Sequence, residues 1–183
     1  MKKVQSAIIL LSLLVFAGCG GGAKTTQTPS NTAPNATAQL PEGVLLKEAP
    51  AGAKDVSTVK KEAKAGDEVV MKGRIAGDKD VFVPQRAMFV LADTKLLACS
   101  ERPGDNCPYP WDLCCETPET LKESTATVQL VDANGKPLKM DLKGVNGIKE
   151  LSVLVVKGKV ADREGGRLLV TASGIFIEPA AVK

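Results

Sequence analysis

The repeated alternation of apolar and polar residues in short segments that contain glycine is the feature that most constrains this fold. Glu68–Ile75 shows it most clearly, with Val69 and Met71 separated by one residue. Successive side chains of a strand point to opposite faces of a sheet, so this spacing predicts a half-buried strand. Gly73, Gly158 and Gly174 lie inside strand candidates, where glycine relieves crowding as strands bend or coil. The pattern therefore predicts an all-β fold closed into a small barrel.

Further segments between turn signals are predicted to complete the sheet. They are residues 87–92, 127–131, 138–142, 152–160 and 167–177. Asn134-Gly135 predicts a hairpin between two of these strands, because both residue types tolerate positive φ. A short helix is expected to reach Ala65, with Asp55 as its N-cap, and residues 146–151 are long enough for one or two helical turns.

This order of strands and short helices resembles the OB-fold. Residues 70–75 and 155–160 resemble the first and fourth strands of bacterial OB domains, and residues 168–178 resemble the fifth. The resemblance covers about residues 65–178 and is one of pattern, not of a diagnostic motif. It implies a small five-stranded OB-like barrel with one or two short helices, while a β-sandwich is the competing architecture. The fold alone selects no activity.

The N-terminus has the order of charge, apolar run and small residues that is typical of an export signal. Lys2 and Lys3 precede the apolar residues 7–16, which are too few to span a bilayer. The sequence Phe-Ala-Gly-Cys that ends at Cys19 resembles the lipobox of bacterial lipoproteins, with Phe16 in place of the usual leucine. The resemblance implies a signal peptide over residues 1–18, cleavage before Cys19, and lipid attached to that cysteine.

The segment after Cys19 is rich in Thr, Gln, Pro, Asn and Ala, with few large apolar residues. It cannot bury enough surface to fold, so residues 19–50 are predicted to be a disordered, lipid-anchored linker and residues 51–183 the barrel domain. Gly20 follows the anchor where an aspartate would signal retention, and by analogy this favours the outer membrane. The expected partners are the membrane, through the lipid on Cys19, and an unidentified envelope component.

Composition excludes several function classes. The chain contains no histidine, which removes the commonest general base and every Ser-His or Cys-His pair. Loss of Lys2 and Lys3 with the signal peptide lowers the formal charge from +3 to +1, and aromatic residues make up only 3% of the chain. These values argue against nucleic acid as a partner. Four basic positions on predicted strands are therefore expected to be solvated and balanced by acids: Lys72, Arg74, Lys157 and Lys159.

A cysteine-rich insertion over residues 99–116 lies between the second and third barrel strands. Tyr109 and Trp111 are expected to form a small satellite core there. Three interpretations compete for its four cysteines, Cys99, Cys107, Cys114 and Cys115. Two disulfides are favoured, because the set is even and the domain is exported. A bond between adjacent cysteines is strained, so Cys99 and Cys107 are each expected to pair with one of the other two.

The second interpretation is a four-thiolate site for zinc or copper, which soft ligands favour, although the paired Cys-x-x-Cys of typical zinc sites is absent. The third is a labile vicinal disulfide between Cys114 and Cys115. The favoured function is thus a non-catalytic lipoprotein without a cofactor, whose disulfide-braced loop serves binding or envelope organisation. The alternatives are a metal-binding or thiol-redox lipoprotein, and an OB module that binds oligonucleotides or oligosaccharides.

Overall fold

The structure is a computed structural model that describes residues 39–180. The predicted signal peptide, the lipobox and Cys19 lie outside the described residues, so the lipid anchor stays a prediction. Neither helix of the described part is long and apolar enough to cross a membrane.

The described chain forms six strands, two short α-helices and three 3-10 turns. In chain order the strands and helices are β1 (Lys54–Asp55), α1 (Val56–Glu62), β2 (Glu68–Ile75), β3 (Met88–Ala92), α2 (Pro118–Ser124), β4 (Thr125–Gln129), β5 (Val153–Asp162) and β6 (Leu169–Ile177). The 3-10 turns are Cys99–Glu101, Val145–Gly147 and Glu164–Gly166.

Five of these strands close into a mixed barrel. The order is β2-β3-β4-β6-β5, and β5 returns to pair with β2 from Glu68↔Lys159 to Arg74↔Val153. Neighbours are antiparallel except β4 and β6, which run parallel. The two-residue β1 adds to β2 outside the ring. Closure removes the free sheet edges that invite pairing with other chains. The prediction of a small five-stranded, OB-like, all-β barrel is confirmed.

The apolar side chains of the alternating pattern fill the barrel interior. Met71 and Ile75 of β2 meet Leu154 and Val156 of β5 in one fully buried core. Glycine is required where strands approach most closely. A Cβ added to Gly158 would lie 2.4 Å from the carbonyl oxygen of Thr171, well inside any real contact. The sequence pattern thus marks the points at which the sheet bends.

The predicted strand over residues 138–142 is wrong. The turn at Asn134-Gly135 exists, with an isolated bridge from Val131 to Pro137, but no strand follows it. The strand it would have paired with, β4, already has β3 on one side and β6 on the other, so no free edge remains. Leu142 is buried in the core without strand pairing.

Three further local features differ from expectation. Asp55 makes no cap hydrogen bond to α1 and instead pairs with Lys95. The second helix, α2, is not predicted from the sequence; its N-cap is Thr117, whose hydroxyl accepts from the Thr120 amide at 3.1 Å. Part of the predicted linker also packs on the barrel. Leu40 is buried, and Val44 and Leu46 exchange backbone hydrogen bonds with Ile175 of β6.

Candidate metal centre

The connection between β3 and β4 carries the four cysteines, and its first residue is tied to α1. The Asp93 carboxylate accepts from the Ser57 hydroxyl at 2.6 Å and from the amides of Ser57 and Lys95. Burial acts to raise the pKa of Asp93, but these hydrogen bonds outweigh it and hold the pKa below its ordinary value. The loop therefore leaves the barrel at a fixed point.

Arg74 braces the next part of the loop from inside β2. One guanidinium nitrogen donates to Glu101 Oε1 at 2.6 Å and another to the Leu96 carbonyl at 2.6 Å. The other oxygen of Glu101 accepts from the Ala98 amide at 2.9 Å. These bonds fix the 3-10 turn that begins at Cys99 against the barrel.

The second half of the loop is held beside the first. The Leu113 amide donates to the Gly77 carbonyl at 2.7 Å, and the Cys99 amide donates to Asp112 O at 2.9 Å. An ion pair joins Arg102 to Glu116 farther out. Beneath them lies a small separate core of Ala76, Ala92, Ala98 and Leu113. Residues distant in sequence, and the cysteines they carry, are thereby brought into register.

The four predicted site cysteines come together as one cluster. The Sγ atoms of Cys99 and Cys114 lie 3.4 Å apart. Every other pair except Cys107 with Cys115 also belongs to a group whose ligand atoms lie within 4.8 Å of one another. Cys99 is only 2% exposed, Cys107 is half-buried, and Cys114 and Cys115 are exposed. The cluster thus has a buried floor and an open edge.

The structure describes these four cysteines as free, so the favoured disulfides are absent from it. A disulfide joins its sulfurs at about 2.05 Å, far shorter than the 3.4 Å between Cys99 and Cys114. The vicinal bond between Cys114 and Cys115 is likewise not formed.

Two carboxylates that the sequence interpretation missed complete the cluster. The Cys107 thiol lies 3.6 Å from Asp112 Oδ2, and the Cys115 thiol lies 3.7 Å from Asp105 Oδ2. The Cys107 amide holds the pKa of Asp105 below its ordinary value by donating to Oδ1 at 2.7 Å. Each aspartate stands two residues before a cysteine, and that repeated Asp-x-Cys spacing was the available signal.

The thiols of Cys99 and Cys114 both have a raised pKa, which favours their protonated form. Burial raises the pKa of Cys99, and contacts with Cys114, Cys107 and Asp105 raise it further. For Cys114 the contact with Cys99 lowers the pKa, but desolvation and the other neighbours outweigh it, so the pKa is raised. A cation bound here would replace protons on the sulfurs, because metals coordinate thiolates.

The aromatic pair lies beside the cluster, but it does not form the expected satellite core. Tyr109 and Trp111 have ring centroids 5.8 Å apart, and Trp111 packs against the main barrel core. The indole donates to the Lys79 carbonyl at 3.1 Å, and the Lys143 ammonium lies 5.6 Å from the indole ring. The satellite core is aliphatic instead.

Two of the four basic strand positions are paired with acids as expected, but the expectation that Arg74 is solvated is wrong, because it is buried. Lys72 pairs with Glu178 at 2.7 Å and Arg74 pairs with Glu101. Lys157 and Lys159 are exposed on β5.

Comparison of this chain with protein-family models, with curated proteins and with solved structures finds no match. The chemistry of the cluster therefore rests on its own geometry.

Proposed function

We propose that this domain binds one soft metal ion, Zn²⁺ or Cu(I), through the thiolates of Cys99, Cys107, Cys114 and Cys115. The spacing of the sulfurs carries the proposal. Thiolates bound to zinc at about 2.3 Å in a tetrahedron stand roughly 3.8 Å apart. Five of the six sulfur pairs have separations that bracket that value, from 3.4 Å for Cys99 with Cys114 to within 4.8 Å for the others, and Cys107 and Cys115 must approach each other when the ion binds.

The donor set supports the same choice of ion. Sulfur ligands select Zn²⁺ and Cu(I) over Mg²⁺ and Ca²⁺, which prefer all-oxygen sites. Asp105 and Asp112 add oxygens next to the sulfurs. They can accept hydrogen bonds from the free thiols or supply an oxygen ligand when the ion is bound. When all four sulfurs coordinate the ion, the site favours Zn²⁺.

The cellular setting is proposed from the N-terminal sequence. In this proposal the protein is an exported lipoprotein, anchored by lipid on Cys19 and favouring the outer membrane. The barrel is the non-catalytic scaffold that holds the metal site outside the cytosol. A Cys19→Ser variant should lose membrane association in a fractionation experiment, and unchanged association would contradict the anchor.

Disulfide bracing of the loop is the second candidate. The exported setting favours it, and the 3.4 Å between the sulfurs of Cys99 and Cys114 leaves only a short movement to bond formation. In that case the loop is a rigid binding element rather than a metal site. The two candidates differ in mass and in metal content.

The full-length protein, purified from membranes in detergent and without reductant, distinguishes them. Metal analysis and intact mass are measured on the same sample, followed by chelation, denaturation and alkylation. Metal binding predicts one ion per chain and alkylation of all four loop cysteines. Two disulfides would instead lower the mass by four hydrogens, leave these cysteines unalkylated and leave the protein without metal, which would refute the proposal.

A further inference from the structure

The cysteine cluster is asymmetric in its access to solvent. Cys99 is 2% exposed and lies at the floor of the site, whereas Cys114 and Cys115 are exposed at its edge. In a four-thiolate zinc site all four coordination positions are filled, so an incoming ligand must displace one of the sulfurs. The exposed adjacent pair gives an approaching thiol direct access to the metal.

The floor and the edge of the site differ in burial, although the backbone beside the edge is also held, since Leu113 donates to the Gly77 carbonyl. Cys99 begins the 3-10 turn that Arg74 fixes through Leu96 and Glu101, and its amide donates to Asp112 O. Cys114 and Cys115 lie in a turn at the surface, before α2 begins. A ligand at the edge can therefore leave the metal while Cys99 keeps it bound.

The barrel also has a core of its own. Its buried cluster is built from aliphatic residues with Met71 and Phe89, and no cysteine belongs to it among the described residues. A metal that completed the fold would be needed for that core, as in small zinc domains that unfold without their ion. Here the ion can depart and leave the barrel intact.

Building on the proposed function, we infer that the cluster is an exchange site that passes its metal to thiol-bearing acceptors through Cys114 and Cys115. The acceptor thiol loses its proton and its sulfur binds the metal at the open edge. The bond from the metal to Cys115 breaks, and the Cys115 sulfur takes up a proton. The same exchange follows at Cys114 and then at Cys107, each sulfur taking up a proton as an incoming thiolate replaces it, and Cys99 releases the ion last. The oxidation state of the metal does not change, so no oxidant or reductant is required.

The kinetics of zinc loss test this inference. The full-length protein in detergent is first shown to hold one Zn²⁺, which tests the proposed function separately. Release into an excess of a chromogenic zinc indicator is then followed at rising glutathione concentration. Thiol attack at the open edge predicts a rate that rises in proportion to glutathione without a plateau. A rate independent of glutathione means that the ion must leave by itself, and this result would overturn the inference.

Two variants distinguish the edge from the floor. Cys115→Ser is expected to keep stoichiometric zinc with faster release, because the three thiolates that remain include the buried one of Cys99. Cys99→Ser is expected to lose stoichiometric zinc while the barrel stays folded by circular dichroism. Equal behaviour of the two variants would contradict the assigned roles. If Cys99→Ser fails to fold, the glutathione dependence of the unmodified protein still decides the question.

Discussion

Arg74 is the side chain through which the barrel positions the floor of the metal site, and replacing it with methionine tests that role. Methionine keeps an unbranched apolar stem of similar length, so the packing of the side chain at position 74 is largely retained. The change removes the two hydrogen bonds from the guanidinium to Glu101 and to the Leu96 carbonyl. The turn that carries Cys99 then loses its side-chain hydrogen bonds to β2 and keeps its backbone bond to Asp112 and the packing of Ala98.

The size of the effect follows from these two bonds. Hydrogen bonds to charged groups contribute about 1.5–3 kcal/mol each. The Glu101 side chain is 39% exposed, which places its bond below that range, since exposed ion pairs are typically worth less than about 1 kcal/mol. The bond to Leu96 supplies most of a total near 2 kcal/mol. If metal binding must restore the lost order, this amounts to about 30-fold in the dissociation constant.

The assay is a competition titration of zinc against a chelator of known affinity, with Lys72→Met as the matched control. Lys72 lies two residues earlier on β2 and pairs with Glu178, away from the loop. We expect about 30-fold weaker zinc binding for Arg74→Met, within the 10- to 100-fold range typical of residues that orient metal ligands. The control should stay within about twofold. Equal affinities in the two variants would refute the bracing role of Arg74.

Three further predictions concern stability. Zinc at about 1,000 times its dissociation constant stabilises the folded state by roughly 4 kcal/mol. Chelation should therefore lower the Tm by about 10–15 °C in a thermal scan while leaving a cooperative transition. An unchanged Tm would count against metal binding. Asp93→Asn should cost about 2 kcal/mol in urea unfolding at pH 7. Because the folded pKa of Asp93 lies below its unfolded value, the wild-type carboxylate stabilises the fold above pH ~4 and loses this contribution as pH falls through the folded pKa. The difference from the variant should therefore shrink at low pH, and a constant difference would contradict that assignment. Gly158→Ala should destabilise the domain by about 3 kcal/mol, because the new Cβ would meet the Thr171 carbonyl. A decrease in the free energy of unfolding below about 0.5 kcal/mol would show that β5 and β6 can move apart at no cost.

The barrel could be predicted because its signal is local. Alternation and glycine within Glu68–Ile75 reproduce β2 with the same bounds, and β5 and β6 were expected within two residues of where they lie. The failure at residues 138–142 has the opposite cause. Leu138, Met140 and Leu142 have the spacing of a strand, but a strand also needs a free partner, and β4 is already paired on both sides. Local pattern carries no information about that competition.

For the candidate site too, the features that depend on local sequence could be predicted and those that depend on distant contacts could not. The four cysteines were recognised from their residue type, and the predicted strands on either side placed them in the loop between the second and third barrel strands. Their separation depends on bonds between residues far apart in sequence, such as that from Leu113 to Gly77. No spacing rule predicts such contacts, so disulfides and a metal site could not be distinguished from the sequence. The contributions of Asp105 and Asp112 depend on the same folding of the loop.

The most direct test of the central claim is X-ray absorption at the zinc edge on the full-length protein loaded with one equivalent of Zn²⁺. The proposed site predicts a shell dominated by sulfur at about 2.3 Å, with four scatterers if Cys99, Cys107, Cys114 and Cys115 all coordinate. Replacement of one sulfur by an aspartate oxygen would still fit a site built on these thiols. A shell of oxygen or nitrogen alone, near about 2.0–2.2 Å, would contradict it.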